Sequence, residues 1–189
     1  MEVSNLFNLN GKVAVITGGT GVLGGEMARG LAAAGVKVVV TGRRHTVGER
    51  VAESIQREGN EASFFSADVL DPVSLEKLNE QVLDKYRAID ILVNAAGGNL
   101  PGAVITPDKT FFDLEMDEFQ KVVDLNLGGT VLPTKIFCQY MASVKKGVVV
   151  NIASMASYRP ITRVVGYAAA KAAIVNFTEW MAIEMARKF

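Results

Sequence analysis

Among 189 residues the sequence has one cysteine, one histidine, one tryptophan and five prolines, and it carries no net charge. A lone thiol, Cys138, cannot close an internal disulfide. The chain therefore reads as a protein of a reducing compartment, and a cytoplasmic location is expected. Twenty basic residues balance twenty acidic ones, which gives no general attraction to nucleic acid or to an anionic membrane. No apolar run is long and uninterrupted enough to span a bilayer. The opening stretch, MEVSNLFNLNGK, lacks the basic start and apolar run of a signal peptide. The one histidine, His45, reads as solvent-exposed, with adenine or phosphate contact as the alternative. No metal site is expected.

What remains is ordinary for a globular protein, with 49% hydrophobic and 21% charged residues. The length suits one domain over residues 1–189 rather than two. The short β-branched run at 13–17 reads as a buried strand, and 36–41, 62–66, 89–93 and 148–152 read as further strands. Between them, 22–34 and 46–58 have helical spacing and close at Gly35 and Gly59. Another helix follows Asp71 as N-cap, with Pro72 in first position. Residues 97–110 form a loop containing glycine and proline, 117–143 a long helix, and a last helix begins near Val164. Strands alternating with helices imply right-handed crossovers. The expected fold is α/β, a Rossmann-like doubly wound parallel sheet with helices on both faces.

TGGTGVLGG, residues 17–25, lies between the first strand and the first helix. Glycines 18, 19, 21 and 24 let the backbone turn sharply and approach a ligand, and the helix N-terminus beyond offers free N–H groups to a phosphate. The strand–turn–helix context favours a dinucleotide site over a bare turn. No Gly-Lys-Ser/Thr follows, which disfavours a mononucleotide loop. At the end of the second strand an acid would select the ribose of NAD, and a cation the 2′-phosphate of NADP. The chain has Gly42, Arg43 and Arg44 there, which favours NADP(H) over NAD(H). The alternative is that both arginines are a solvated helix start.

Tyr167 and Lys171 lie four apart on the last helix and share a face. A free tyrosine holds its proton to about pH 10, and a neighbouring ammonium favours the phenolate, so such a pair can move a proton at an alcohol or carbonyl oxygen. Tyr-x-x-x-Lys alone is a common spacing. Here Ser154 stands just past the fifth strand, at the sheet end where ligands bind.

With these motifs in order, the chain resembles the short-chain dehydrogenases/reductases over essentially its whole length. TGGTGVLG resembles the family's cofactor turn, ADV (67–69) its adenine contact, and NAAG (94–97) the stretch after the fourth strand. LNLGGT supplies Asn126, NIASMAS supplies Ser154, and YAAAK supplies Tyr167 and Lys171. The resemblance implies a cofactor site built from Gly18, Thr20, Gly21, Val22, Leu23, Arg43, Arg44, Asp68, Val69, Asn94, Ala95, Ala96 and Gly97, with Tyr167 and Lys171. It implies Tyr167 as general acid, Lys171 as its helper and ribose contact, Ser154 as the group orienting the substrate oxygen, and Asn126 as holder of a water beside Lys171. Hydride would pass between nicotinamide and a carbonyl or secondary alcohol. Two positions depart from the family pattern: Val22 replaces a glycine, and Ala95 replaces an asparagine.

NAAGGNLPGA, KTFFDLEMDEF and NIASMASYRPITRVVGY together resemble the branch of D-mannonate oxidoreductases and fructuronate reductases. The implied substrate is a small keto-sugar acid, with Asn99, Arg159 and Arg163 as candidate contacts, because an arginine fork fits a carboxylate. The alternative is that both arginines are surface or intersubunit residues. A noncatalytic dinucleotide sensor or scaffold is the competing function. Trp180, Met181 and Met185 make the last helix apolar on more than one face, and a homo-oligomer, tetramer or dimer, is expected. Members of the family continue for roughly another 70–80 residues. The chain is therefore expected to be C-terminally incomplete, and weakly active or inactive alone.

Overall fold

A computed structural model describes residues 7–188. Residues 1–6, the start of the stretch on which the absence of a signal peptide was argued, and Phe189 lie outside the described residues. In chain order come β1 (Val13–Thr17), α1 (Val22–Ala33), β2 (Lys37–Gly42), α2 (His45–Arg57), β3 (Ala62–Ser66), α3 (Pro72–Tyr86) and β4 (Ile91–Asn94). A long connection then leads to α4 (Met116–Val123), α5 (Gly129–Ser143), β5 (Val148–Asn151) and α6 (Val165–Lys188). The sheet is wholly parallel, in the order β3-β2-β1-β4-β5. The order reverses between β1 and β4, which opens a crevice at the carboxyl ends of those strands.

The inner strands β1, β2 and β4 read as apolar runs because both faces of the sheet are covered there. All five residues of β1 are buried. Val13 and Val15 pack with Leu75, Leu78 and Val82 of α3 and with Phe137 and Met141 of α5. Ala14 and Ile16 face the other way, onto Ala28 and Ala32 of α1 and Ile55 of α2. Full burial of each larger aliphatic contributes ~1.5–3 kcal/mol relative to exposure.

Local chemistry sets the helix ends. Asp71 caps α3 by accepting the Val73 N–H at 3.0 Å, and Pro72 follows it. Gly35 (φ 83°) and Gly59 (φ 86°) take left-handed backbone after α1 and α2. There the Val36 N–H reaches Leu31 O and the Asn60 N–H reaches Ile55 O, which closes each helix. At the opposite end of the sheet, Asp90 accepts from the Val13 N–H and Lys12 Nζ, both at 3.0 Å, with Lys146 Nζ 3.9 Å away.

The helix expected over 117–143 is interrupted. Between α4 and α5 the chain makes a π turn, Asp124–Gly128, in which the Gly129 N–H bonds Asp124 O, five residues back. Further on, Pro133 has no N–H to offer to the α5 ladder. One extra residue in a turn leaves the apolar spacing helical on both sides, so periodicity does not reveal it. The turn carries Asn126 into the interior, where it is wholly buried.

β5 is one of the two edge strands of the sheet. Its Val148 and Val150 remain 56% and 42% exposed. Among the described residues no helix is long and apolar enough to cross a membrane.

Candidate active site

The crevice beside β1 and β4 is a cavity of about 450 Å³. Gly18, Thr20, Gly21, Val22 and Leu23 form one wall. Arg43 and Arg44 after β2, Asp68 and Val69 after β3, and Ala95, Ala96 and Gly97 after β4 form the rest. Twelve of the sequence-derived cofactor positions thus meet in one place. Tyr167 and Lys171 lie outside its lining, and so does Asn94. The Asn94 side chain is 1% exposed and turned into the sheet, where Nδ2 donates to Thr134 Oγ1 and Asn151 Oδ1, both at 2.9 Å.

The cavity suits a dinucleotide. Gly18 has φ 64°, and a Cβ there would lie 2.6 Å from Ala95 O and Ala96 N. The two turns therefore touch backbone to backbone. Thr17, wholly buried at the end of β1, holds them together: its Oγ1 accepts the Ala95 and Ala96 N–H groups at 3.1 and 3.2 Å. Gly21 starts α1 with no side-chain cap and no acid in the first turn. The first amides of α1 and its positive dipole end are thus left to an anion such as a pyrophosphate. At the ribose end no acid follows β2. Arg44 Nη2 donates to Thr20 O at 2.7 Å, which lays this cation across the glycine turn, while Arg43 Nη1 is 3.8 Å from Asp68 Oδ2. His45 is exposed, beside Glu49 and the ring of Phe64.

The polar end of the crevice is built by α6, the π turn and the strand ends. Lys171 is 5% exposed and donates to Ile152 O at 2.6 Å, two residues before Ser154. Burial lowers the pKa of its ammonium below the ordinary lysine value. One helical turn earlier, the Tyr167 ring lies with its centroid 5.6 Å from Lys171 Nζ. A Cβ on Gly97 would be 2.6 Å from Asn126 Oδ1 and 3.5 Å from Lys171 Nζ, so these three residues converge. Asn126 Nδ2 donates to Gly98 O (2.7 Å) and Val122 O (2.8 Å), and its Oδ1 accepts the Gly98 N–H (3.2 Å). The Ser154 hydroxyl accepts the Ala156 N–H at 3.1 Å, which leaves its own hydrogen free to donate. Asn99 caps Leu100 through its Oδ1, and Arg159 and Arg163 are exposed, neither ion-paired among the described residues.

The sequence profile of the short chain dehydrogenases matches residues 12–188. The chain belongs to the short-chain dehydrogenase family. Members are oxidoreductases that bind nicotinamide dinucleotides, and this chain is an enzyme of that type. It is 41% identical, over 187 residues, to the uncharacterized oxidoreductase UxuB of Bacillus subtilis, covering 95% of this chain and 67% of the relative. A proposed D-mannonate oxidoreductase from Haemophilus influenza, solved with bound NAD, superposes with a TM-score of 0.91 at 31% identity. That match covers 99% of this chain and 70% of the other. A variant of actinorhodin polyketide ketoreductase with NADPH gives a TM-score of 0.86 at 30% identity, covering 94% and 66%.

Sequence reasoning missed two supports of the site. Thr17 was read as the end of a strand and the first residue of the glycine turn, with no role for its side chain. Thr130 and Thr134 follow Asn126 at helical spacing, and the Thr130 hydroxyl donates to Asn126 O at 2.8 Å while Thr134 Oγ1 donates to Thr130 O at 2.7 Å. The four- and eight-residue offsets in NLGGTVLPT were the available signal.

Proposed function

We propose that the chain reduces a carbonyl, or oxidises the matching secondary alcohol, with NADP(H) preferred over NAD(H). The observation that carries this reading is the convergence of Lys171, Tyr167 and Asn126 on Gly97, which lines the crevice beside the glycine turn. The nicotinamide, when bound, supplies or accepts the hydride. The protein's part is placement and the proton. Ser154 donates a hydrogen bond to the substrate oxygen, and Tyr167 gives that oxygen its proton as the carbonyl becomes an alcohol. The buried Lys171 ammonium stabilises negative charge developing on the phenol oxygen and holds the nicotinamide ribose. Asn126 pins Gly98 through two hydrogen bonds and is itself anchored to Val122 O of α4 by a third, which fixes the wall against which the ribose rests.

Support for NADP(H) is the pair Arg43 and Arg44, with Gly42 in place of an acid at the end of β2. The relatives carry either NAD or NADPH, so the arginines are the argument. A keto-sugar acid such as fructuronate, reduced to mannonate, is the proposed substrate. It draws on the quoted motifs, on the name of one structural relative, and on Asn99 in the connection after β4 and Arg159 in the segment between Ser154 and Tyr167. On α6, Trp180 and Ile183 are 56% and 55% exposed, which favours cover by a second copy as a dimer or tetramer. The single buried thiol suits the cytoplasm, and burial raises its pKa to about 11. The test is NADPH consumption with D-fructuronate, followed by nicotinamide absorbance at protein concentrations high enough to read slow turnover. Loss of NADPH that requires the keto acid supports the reading. Consumption with simple ketones but not with keto acids refutes the substrate class.

A further inference from the structure

Among the described residues, three that are not glycine have left-handed backbone: Arg87, Lys145 and Arg163. A residue with a Cβ is disfavoured there, so each needs a reason. Arg87 ends α3, with its N–H on Leu83 O. Lys145 follows α5, and the next N–H, that of Lys146, returns to Met141 O. Both are helix-closing positions. Arg163 closes no helix. It precedes α6, with φ 77°, in the segment between Ser154 and Tyr167. Its carbonyl accepts the Ile105 N–H at 2.9 Å.

Ile105 belongs to the connection that leaves β4. That connection is fixed at its start, where Gly98 is bonded to Asn126 through both its N–H and its carbonyl. The Ile105–Arg163 bond is its second tie, and Asn99 lies between the two. We propose that Arg163 is a positioning residue that acts through its main chain. Its left-handed backbone turns its carbonyl onto Ile105 and latches the connection after β4 to the segment after β5. The two loops flanking the substrate then hold one spacing. This rests on the oxidoreductase reading only for where the substrate lies. It reassigns Arg163 from a side-chain contact with a carboxylate to a backbone role.

The test is hydrogen exchange at the Ile105 amide in the 189-residue chain and in Arg163→Gly, Arg163→Asn and Arg163→Val, each checked for an unchanged fold by circular dichroism. Glycine and asparagine accept left-handed backbone, whereas a β-branched valine does not. The latch predicts slow exchange at Ile105 in the parent, glycine and asparagine chains. In the valine chain it predicts exchange about tenfold faster, spreading to residues 99–104. Binding of D-mannonate to the chain saturated with NADP+ is the second readout. The glycine and asparagine variants should bind within about twofold of the parent, and the valine variant about tenfold more weakly. Equal exchange in the glycine and valine variants, or an unprotected Ile105 in the parent, overturns the latch. Equal weakening of binding in all three variants with Ile105 still protected in glycine returns the role to the guanidinium. If D-mannonate does not bind the parent, the substrate reading fails, while exchange at Ile105 still judges the latch.

Discussion

Replacing Thr17 with valine removes one hydroxyl and keeps the shape of the side chain. That hydroxyl oxygen accepts two backbone N–H groups, from Ala95 at 3.1 Å and Ala96 at 3.2 Å, and Thr17 is wholly buried. A buried donor left unpaired costs ~1–3 kcal/mol. Ala95 and Ala96 are only half-buried, so water recovers part of the loss, and the pair together should cost about 1–3 kcal/mol rather than twice that. For a domain of this length such a change lowers the melting temperature by roughly 3–10 °C. The effect should also reach the site, because the 95–97 turn forms a wall of the crevice. The assay is thermal unfolding by circular dichroism beside an NADPH titration, with Thr17→Ser as control. Serine should recover most of both losses, since it restores the acceptor. A valine variant within about 0.5 kcal/mol of the parent, binding NADPH equally well, would refute the claim that Thr17 sets the distance between the two turns.

Other changes bear on the same account. Gly18→Ala should weaken NADPH binding and lower stability, since its Cβ would sit 2.6 Å from Ala95 O in a left-handed backbone; calorimetric titration reads the first and urea unfolding the second. Tyr167→Phe should keep the Kd for NADPH within about twofold and lower carbonyl reduction at least ~100-fold, read by cofactor binding and turnover side by side. Arg44→Ala should weaken NADPH and leave NADH unchanged in parallel titrations. Burial opposes ionisation of Asp90, but the Val13 N–H, Lys12 and Lys146 outweigh it and hold its carboxyl below the ordinary value. Its stabilisation is therefore full above about pH 4, the unfolded value, and disappears as pH falls through the lower folded value. Asp90→Asn should be less stable than the parent at neutral pH and should show a shallower acid decline in urea titrations at successive pH values.

The inner strands were legible because parallel strands buried on both faces write themselves as apolar runs, and Gly35, Gly59 and Asp71–Pro72 marked helix ends through their own backbone chemistry. The first β–α turn was legible for the same reason. Its glycines are there because Gly18 and Ala95 touch as bare backbone, so the residue type records the contact. The π turn at Asp124–Gly128 was not legible, since neither apolar spacing nor helix propensity changes across it. The ties of Thr17 and Asn94 were hidden as well. Each depends on a partner from another element, and a threonine or asparagine in sequence does not name its partner. Asn94 shows the limit most clearly: its motif pointed to the cofactor, while its amide faces Thr134 and Asn151.

The most direct measurement is a fluorescence titration of the purified chain with NADPH and, separately, NADH. The account predicts saturable binding of both, with NADPH the tighter, because the glycine turn, the bare start of α1 and the two arginines are all assembled in this chain. Equal affinities would contradict the assignment of Arg43 and Arg44 to the 2′-phosphate. Binding of neither nucleotide would contradict the central claim that this crevice holds a dinucleotide.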